Sequence, residues 1–210
     1  MAQAYDERAA RRQYVRRRQQ TVFTIAGTAM VVVLVVALLF FFHVFGLGKV
    51  NTPVEQPNYG VTAPCATATD DGTSGTTVNT PSVTIRVLNG TEFSGFAQAV
   101  SKGLENRGFV LQSFDTYRDA QGAAISNVER TTIYFGRNAI NEAYTLNDNF
   151  TDAVMVMDNR EDKLIDVVLG ATFKDLKDID EVLAPGSPIT DFSNCKPADQ
   201  ITDLPQAIAH

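Results

Sequence analysis

Twenty-six consecutive residues, Val22 to Leu47, contain no aspartate, glutamate, lysine or arginine. At about 1.5 Å of rise per residue, a helix of that length spans roughly 39 Å, enough to cross a ~30 Å hydrocarbon layer with some tilt. The centre of the run, Met30 to Phe42, is Met-Val-Val-Val-Leu-Val-Val-Ala-Leu-Leu-Phe-Phe-Phe. β-Branched residues are poor helix formers in water. In lipid an unpaired backbone costs more, so a membrane helix is expected. The run exceeds the ~7–15 residue apolar core of a cleaved signal peptide, and no clear Ala-x-Ala site follows it. It reads as an uncleaved anchor.

Charge gives the anchor a direction. Residues 1–20 hold six arginines, Arg8, Arg11, Arg12, Arg16, Arg17 and Arg18, against Asp6 and Glu7. Near the other flank stands only Lys49. An arginine-rich flank stays in the cytoplasm. The expected layout is a basic cytoplasmic tail over 1–20, a transmembrane helix over 21–47, and everything from 48 onward outside. The arginines would also meet anionic lipid at the inner surface. His43 falls near the outer end and reads as an interfacial residue.

The outer part has a different character. From residue 49 onward there are 12 basic and 22 acidic side chains. An acidic balance with no basic stripe argues against nucleic acid as a ligand. Cys65 and Cys195 flank the periodic part of the sequence, and an even count outside the cytoplasm permits one disulfide. Pairing is expected. Two free thiols are the alternative, because sequence does not supply the Cα separation that a disulfide needs. Zinc lacks ligands, since the exported part contains one histidine, His210.

Residues 48–81 read as a stalk, with Pro53, Pro57, Pro64 and Pro81 set among Thr, Asn, Gly and Asp. Periodic sequence occupies 82–176. A strand is expected over Val83–Leu88, and a turn at Asn89-Gly90. A helix capped by Ser94 follows, with Phe93, Phe96, Ala97, Val100 and Leu104 on one side. Gly108 is placed to end it. Phe109–Phe114 reads as a second strand, Asp115–Arg130 as a polar loop, and Thr131–Phe135 as a third strand. Asn138–Asn147 is a short helix, and Ala153–Met157 and Ile165–Leu169 are the last two strands. The order is β-α-β-β-α-β-β, a two-layer α/β sandwich with two helices on one sheet, preceded by the transmembrane helix. Residues 177–210 read as a C-terminal extension, loosely structured from Asp191 onward.

No catalytic constellation is legible. With His210 the only exported histidine, no Ser–His or Cys–His arrangement lies within the fold. Asp158, Glu161, Asp162 and Asp166 crowd the hairpin expected between the last two strands, but their spacing is not that of a calcium loop. They read as a solvated turn. The most informative piece is Asn89-Gly90-Thr91-Glu92-Phe93-Ser94-Gly95. It joins a strand to a helix, so Asn89, Gly90, Thr91, Ser94 and Gly95 are candidates to receive an anionic or sugar-linked group on free backbone N–H groups. A tight turn with close helix–sheet packing is the structural alternative. The segment lacks both the P-loop ending and the dinucleotide fingerprint, and no cofactor is expected.

Val83-Thr-Ile-Arg-Val-Leu-Asn-Gly-Thr-Glu-Phe-Ser-Gly-Phe-Ala97 resembles the opening of the LytR C-terminal domain family. Arg107-Gly-Phe109, Thr131-Thr-Ile-Tyr-Phe-Gly136 and Val167-Val-Leu-Gly-Ala-Thr-Phe173 continue the resemblance in order, over about residues 82–175. Thr172 stands where the family pattern has an acidic residue. Members occur behind a catalytic domain that attaches polymers to peptidoglycan, or alone behind a membrane anchor in actinobacteria, and this chain is similar to the second layout. The resemblance implies a place in the cell envelope and a link to wall assembly, and it transfers no catalytic residues. The expected function is a non-catalytic, membrane-anchored accessory or scaffold protein of wall assembly. Its partner would be a polymer-attaching enzyme or another envelope protein. The alternative is a carbohydrate-binding module for peptidoglycan or an attached wall glycan, with Asn89, Ser94, Tyr117 and Tyr134 as contacts.

Overall fold

The computed structural model describes residues 7–41, 58–67 and 75–209. The chain separates into two units, Met1–Thr52 and Pro53–His210. In the first, a single helix, α1, runs unbroken over Glu7–Phe41, so helix begins within the expected tail and takes in the backbone of Arg11 and Arg12. Its segment Arg16–Leu39 is long and apolar enough to cross a membrane. Phe23 and Met30 are 75% and 74% exposed, an arrangement suited to lipid rather than water. The hydroxyls of Thr21, Thr24 and Thr28 donate to the carbonyls of Arg17, Gln20 and Thr24, four residues back, at 2.8–3.0 Å. Those bonds satisfy the polar side chains within the helix itself. Arg16, Arg17 and Arg18 are exposed at its N-terminal flank. His43 and the end of the expected span lie outside the described residues.

The second unit holds β1 (Thr84–Asn89), α2 (Phe96–Asn106), β2 (Val110–Thr116), β3 (Thr132–Phe135), α3 (Ile140–Asn147), β4 (Val154–Met157) and β5 (Ile165–Leu169). Five strands form one sheet in the order β2-β1-β5-β3-β4. β1 runs parallel to β2 and β5, and β3 runs parallel to β4 and antiparallel to β5. Two β-α-β crossovers, one through each helix, therefore flank β5. A parallel pair needs such a crossover, and the helices it brings cover the sheet. β4 and β5 are not neighbours, because β3 lies between them. The carboxylate-rich segment after β4 is accordingly a connection past β3 and not a hairpin.

Strand alternation fixes the core. Ile85, Val87, Ile133, Phe135, Met155, Met157, Ile165, Val167 and Leu169 are all at most 2% exposed. The register sets Ile85 beside Ile165, Val87 beside Val167, and Ile133 beside both Val167 and Met155. Onto this face α2 lays Ala97, Val100 and Leu104, spaced i, i+3, i+7, and α3 adds Ile140, Ala143 and Leu146. The start of α2 differs from expectation. Gly95, at φ +76°, is the residue before the helix, and Ser94 makes no capping bond. A left-handed residue breaks the helical path, so Phe93 falls outside the helix and is 66% exposed.

The expected stalk and extension belong to the fold wherever they are described. Ala63 is 1% exposed in the core, and Ile189 and Phe192 join it from the C-terminal side. The two arms pair with each other. Cys65 N–H donates to Lys196 O at 2.9 Å and Lys196 N–H to Ala63 O at 3.0 Å, while Thr77 N–H donates to Ser187 O at 2.9 Å. Cys65 and Cys195 form a disulfide with Cα atoms 4.9 Å apart, across 130 residues of sequence. These arms are held by backbone bonds and the disulfide, which leave no apolar periodicity to read.

Candidate functional site

The β1–α2 loop is built mostly by its own side chains. Asn89 donates through Nδ2 to Phe93 O at 2.8 Å, and its Oδ1 accepts from Thr91 N–H at 3.0 Å and Thr91 Oγ1 at 2.8 Å. Thr91 Oγ1 in turn accepts from Phe93 N–H at 3.2 Å. Asn89 and Thr91 thus spend their polar atoms inside the turn. Gly90 donates to Leu169 O at 3.1 Å and accepts from Val128 N–H at 3.0 Å. A Cβ there would lie 2.6 Å from Val128 Cγ2 and 2.7 Å from Leu169 O, so close packing accounts for this glycine. Ser94 and Gly95 are exposed, with nothing within 4 Å of a Cβ built on Gly95. Phe93 begins an aromatic chain, its ring 6.2 Å from Phe96, which lies 5.5 Å from Phe173, itself 5.8 Å from Phe150. Beside Phe173, the Thr172 hydroxyl is buried without a hydrogen-bond partner among the described residues.

Sequence reasoning placed Asp158 and Asp166 in a solvated turn. Both are buried, at 1% and 0% exposure. Arg86 grips Asp166 with two bonds, Nε to Oδ1 at 2.7 Å and Nη2 to Oδ2 at 2.9 Å. Arg160 bonds Asp158 Oδ2 at 2.7 Å and Asp166 Oδ2 at 2.8 Å through Nη2, and Leu164 O at 3.0 Å through Nη1. Burial alone would lower the Arg160 pKa, but the hydrogen bonds and charges of both carboxylates outweigh it and hold the guanidinium charged. Tyr134 stands opposite Asp166 on the same sheet face, and burial first, then the nearby Tyr117 and Asp158, raise its pKa. Arg86 and Asp166 occupy alternate strand positions opposite each other, so strand periodicity could have exposed the pair. Glu161 stays outside the cluster and is exposed.

The two sheet edges differ. β4 is closed on its outer side by Asn58, whose Nδ2 donates to Met155 O at 3.1 Å and whose Oδ1 accepts from Met155 N–H at 2.8 Å. One side-chain amide there imitates the main chain of a further strand. Among the described residues β2 pairs with β1 alone, and it is exposed along most of its seven residues. Tyr117 N–H donates to Asn89 O at 2.9 Å, so alternation turns the backbone of Phe114 and Thr116 outward. Val110 and Phe114 are 44% and 45% exposed.

Residues 82–173 match the family model described as LytR cell envelope-related transcriptional attenuator. A crystal structure of the soluble domain of a conserved hypothetical secreted protein from Mycobacterium marinum is similar, at 23% identity and a TM-score of 0.44, covering 54% of this chain and 82% of that one. No curated protein matches the chain. A cell-envelope accessory role fits the family match, and over residues 82–173 this chain is similar to the LytR C-terminal domain family.

Proposed function

We propose that the chain is a non-catalytic, membrane-anchored accessory protein of cell-wall assembly, with residues 1–20 cytoplasmic and the domain outside. It docks an envelope protein, such as a polymer-attaching enzyme, by adding an extended segment of that partner to β2. The open edge of β2 carries this reading, because the opposite edge is closed by Asn58 while β2, among the described residues, pairs with a strand on one side only. Main-chain bonds along an exposed edge supply affinity, and side chains such as Val110 and Phe114 supply specificity. The family match and the arginine-flanked α1 support the envelope location. The test is Phe114→Pro, which removes an outward N–H and leaves the bonds to β1 intact. Co-purification with wall-assembly enzymes from native membranes should be lost while the thermal midpoint is kept. Unchanged co-purification refutes edge docking.

A second reading, a glycan-binding module, is favoured by the exposed Phe93 beside Ser94 and Gly95. An exposed ring next to open backbone can stack on a sugar. Phe93→Ala and Ser94→Ala should then reduce co-sedimentation of the protein with isolated sacculi. Equal sedimentation of wild type and variants would remove the reading.

A further inference from the structure

The sheet face opposite the helices is crossed by the last described residues of the chain, and the contacts that seat them are made to main chain. Asn159 N–H donates to Pro205 O at 3.1 Å, and Asn159 Oδ1 accepts from Ala207 N–H at 2.9 Å. Arg86 Nη2 donates to Ile208 O at 3.4 Å and Nη1 to Ala209 O at 3.1 Å. Arg86 is fixed from behind by its bidentate grip on Asp166, which Arg160 also holds. A pinned arginine offering donors to two successive carbonyls, with an amide two residues upstream, is a preformed reader of extended backbone. The seated segment has no regular secondary structure, and Pro205, Gln206 and Ala209 are exposed. Hydrogen bonds to its main chain seat it without a strand or helix of its own, and segments of that kind are drawn from the more readily opening end of a fold. A cavity of about 380 Å³ opens beside Pro205, lined by Val61, Val156, Met157 and Ile201 among others.

We propose that this channel is a peptide-binding groove, filled in this structure by the chain's own strap, Pro205–Ala209. Its exchange ligand is an extended, uncharged peptide of the same kind, with small apolar side chains read through its main chain. The groove uses a different face from the β2 edge, and its test is independent of that reading.

The probe is a fluorescein-labelled peptide of residues 204–210, Leu-Pro-Gln-Ala-Ile-Ala-His, measured by anisotropy against the full chain in detergent and the chain ended at Asp203. In the full chain the tethered strap competes at an effective concentration of order millimolar. The shortened chain should therefore bind at least about tenfold more tightly. Asn159→Ala in the shortened chain should weaken binding several-fold, and Arg86→Lys, which keeps the charge opposite Asp166, should abolish it. A shortened chain that keeps its thermal transition and does not bind the peptide overturns the proposal. If the shortened chain fails to fold, amide exchange in the full chain decides. Asn159→Ala should speed exchange at Ala207 and Ile208 while leaving β1 and β5 protected, and unaltered exchange there overturns the proposal. A full-chain dimer in which these amides stay protected only on dimerisation would place a second copy's strap in the groove, and would overturn filling in cis.

Discussion

Arg160→Met tests whether the charged cluster on the back of the sheet behaves as a buried unit. Arg160 holds Asp158 through Nε at 2.9 and 3.0 Å and through Nη2 at 2.7 Å, and it shares Asp166 at 2.8 Å. Side-chain exposures are 2% for Arg160 and 0% for both carboxylates. Methionine fills a similar length without charge. Asp166 would keep Arg86, but Asp158 would keep only the backbone N–H of residue 160. Leaving a buried charge without its partner costs about 3–5 kcal/mol. Against the ~5–15 kcal/mol that holds a domain together, that is a large fraction. At roughly 2–4 °C per kcal/mol for a unit of this size, scanning calorimetry should show the midpoint falling by about 6–20 °C. Adding Asp158→Asn removes the stranded charge, so the double variant should recover part of the loss. A single-variant cost below about 1 kcal/mol would mean that the cluster is hydrated and the burial argument fails. A double variant as unstable as the sum of the singles would also refute it, since coupled charges do not add.

Three further outcomes are expected. Replacing Cys65 and Cys195 together by serine opens a loop of 130 residues; chain entropy sets a ceiling of about 5 kcal/mol on the loss, and a drop of roughly 2–4 kcal/mol in chemical denaturation is expected. Gly90→Ala forces Val128 or the end of β5 to move and should cost about 1–3 kcal/mol, read as a lower thermal midpoint, whether or not a ligand is present. Burial first, and then the charge of Asp191, raise the Tyr144 pKa above 10.0, while the neutral hydroxyl donates to Pro64 O at 2.8 Å; burial likewise raises that of Tyr134. The unfolded chain ionises these phenols first, so stability is full below about pH 10 and falls above it. Absorbance at 295 nm should show both phenols still protonated until the fold is lost.

What the sequence disclosed follows from which forces leave a pattern. Alternation in Ile85–Val87 and Ile165–Leu169, and the i, i+3, i+7 spacing of Ala97, Val100 and Leu104, record burial directly, so the strands, helices and core were legible. Phe93 misled because an apolar residue just before a helix start looks periodic until the left-handed Gly95 displaces it. Asp158 and Asp166 misled because an acidic count reports charge and not partners. The partner of Asp158 stands 2 residues away, and those of Asp166 stand 6 and 80 residues away. Asn89 and Thr91 lie where β1 leads into α2, yet their residue types alone do not say whether the oxygens face a ligand or one another. Asn58 left no trace at all, since a side-chain amide capping a strand 97 residues away has no local signature.

The region matched to the family, 82–173, is smaller than the unit that folds around it, and the consequence can be measured. A polypeptide limited to residues 82–176 retains all five strands and both helices. It loses Ala63, Ile189 and Phe192 from the core, with Phe192 lying 5.5 Å from the Tyr144 ring. It also loses Asn58 from the outer side of β4, Tyr59 from beneath Arg130 at 3.6 Å, and the strap carbonyls from Arg86. Small domains bury a modest share of their surface, so trimming the arms removes stability that the remainder cannot replace. A bared β4, rich in Val and Met, then joins β2 as a second open edge, the arrangement that promotes strand-to-strand association. The 82–176 polypeptide should therefore form oligomers in size-exclusion chromatography that residues 53–210 do not. Restoring 53–81 with Asn58→Leu should return the core contact of Ala63 without the amide pairing, and self-association should persist through β4. A monomeric 82–176 polypeptide would show that the arms are accessories to a complete domain. Oligomers cured equally by the native arm and by the arm carrying Asn58→Leu would place the stabilising role of that arm in its core contacts and not in its closure of the edge.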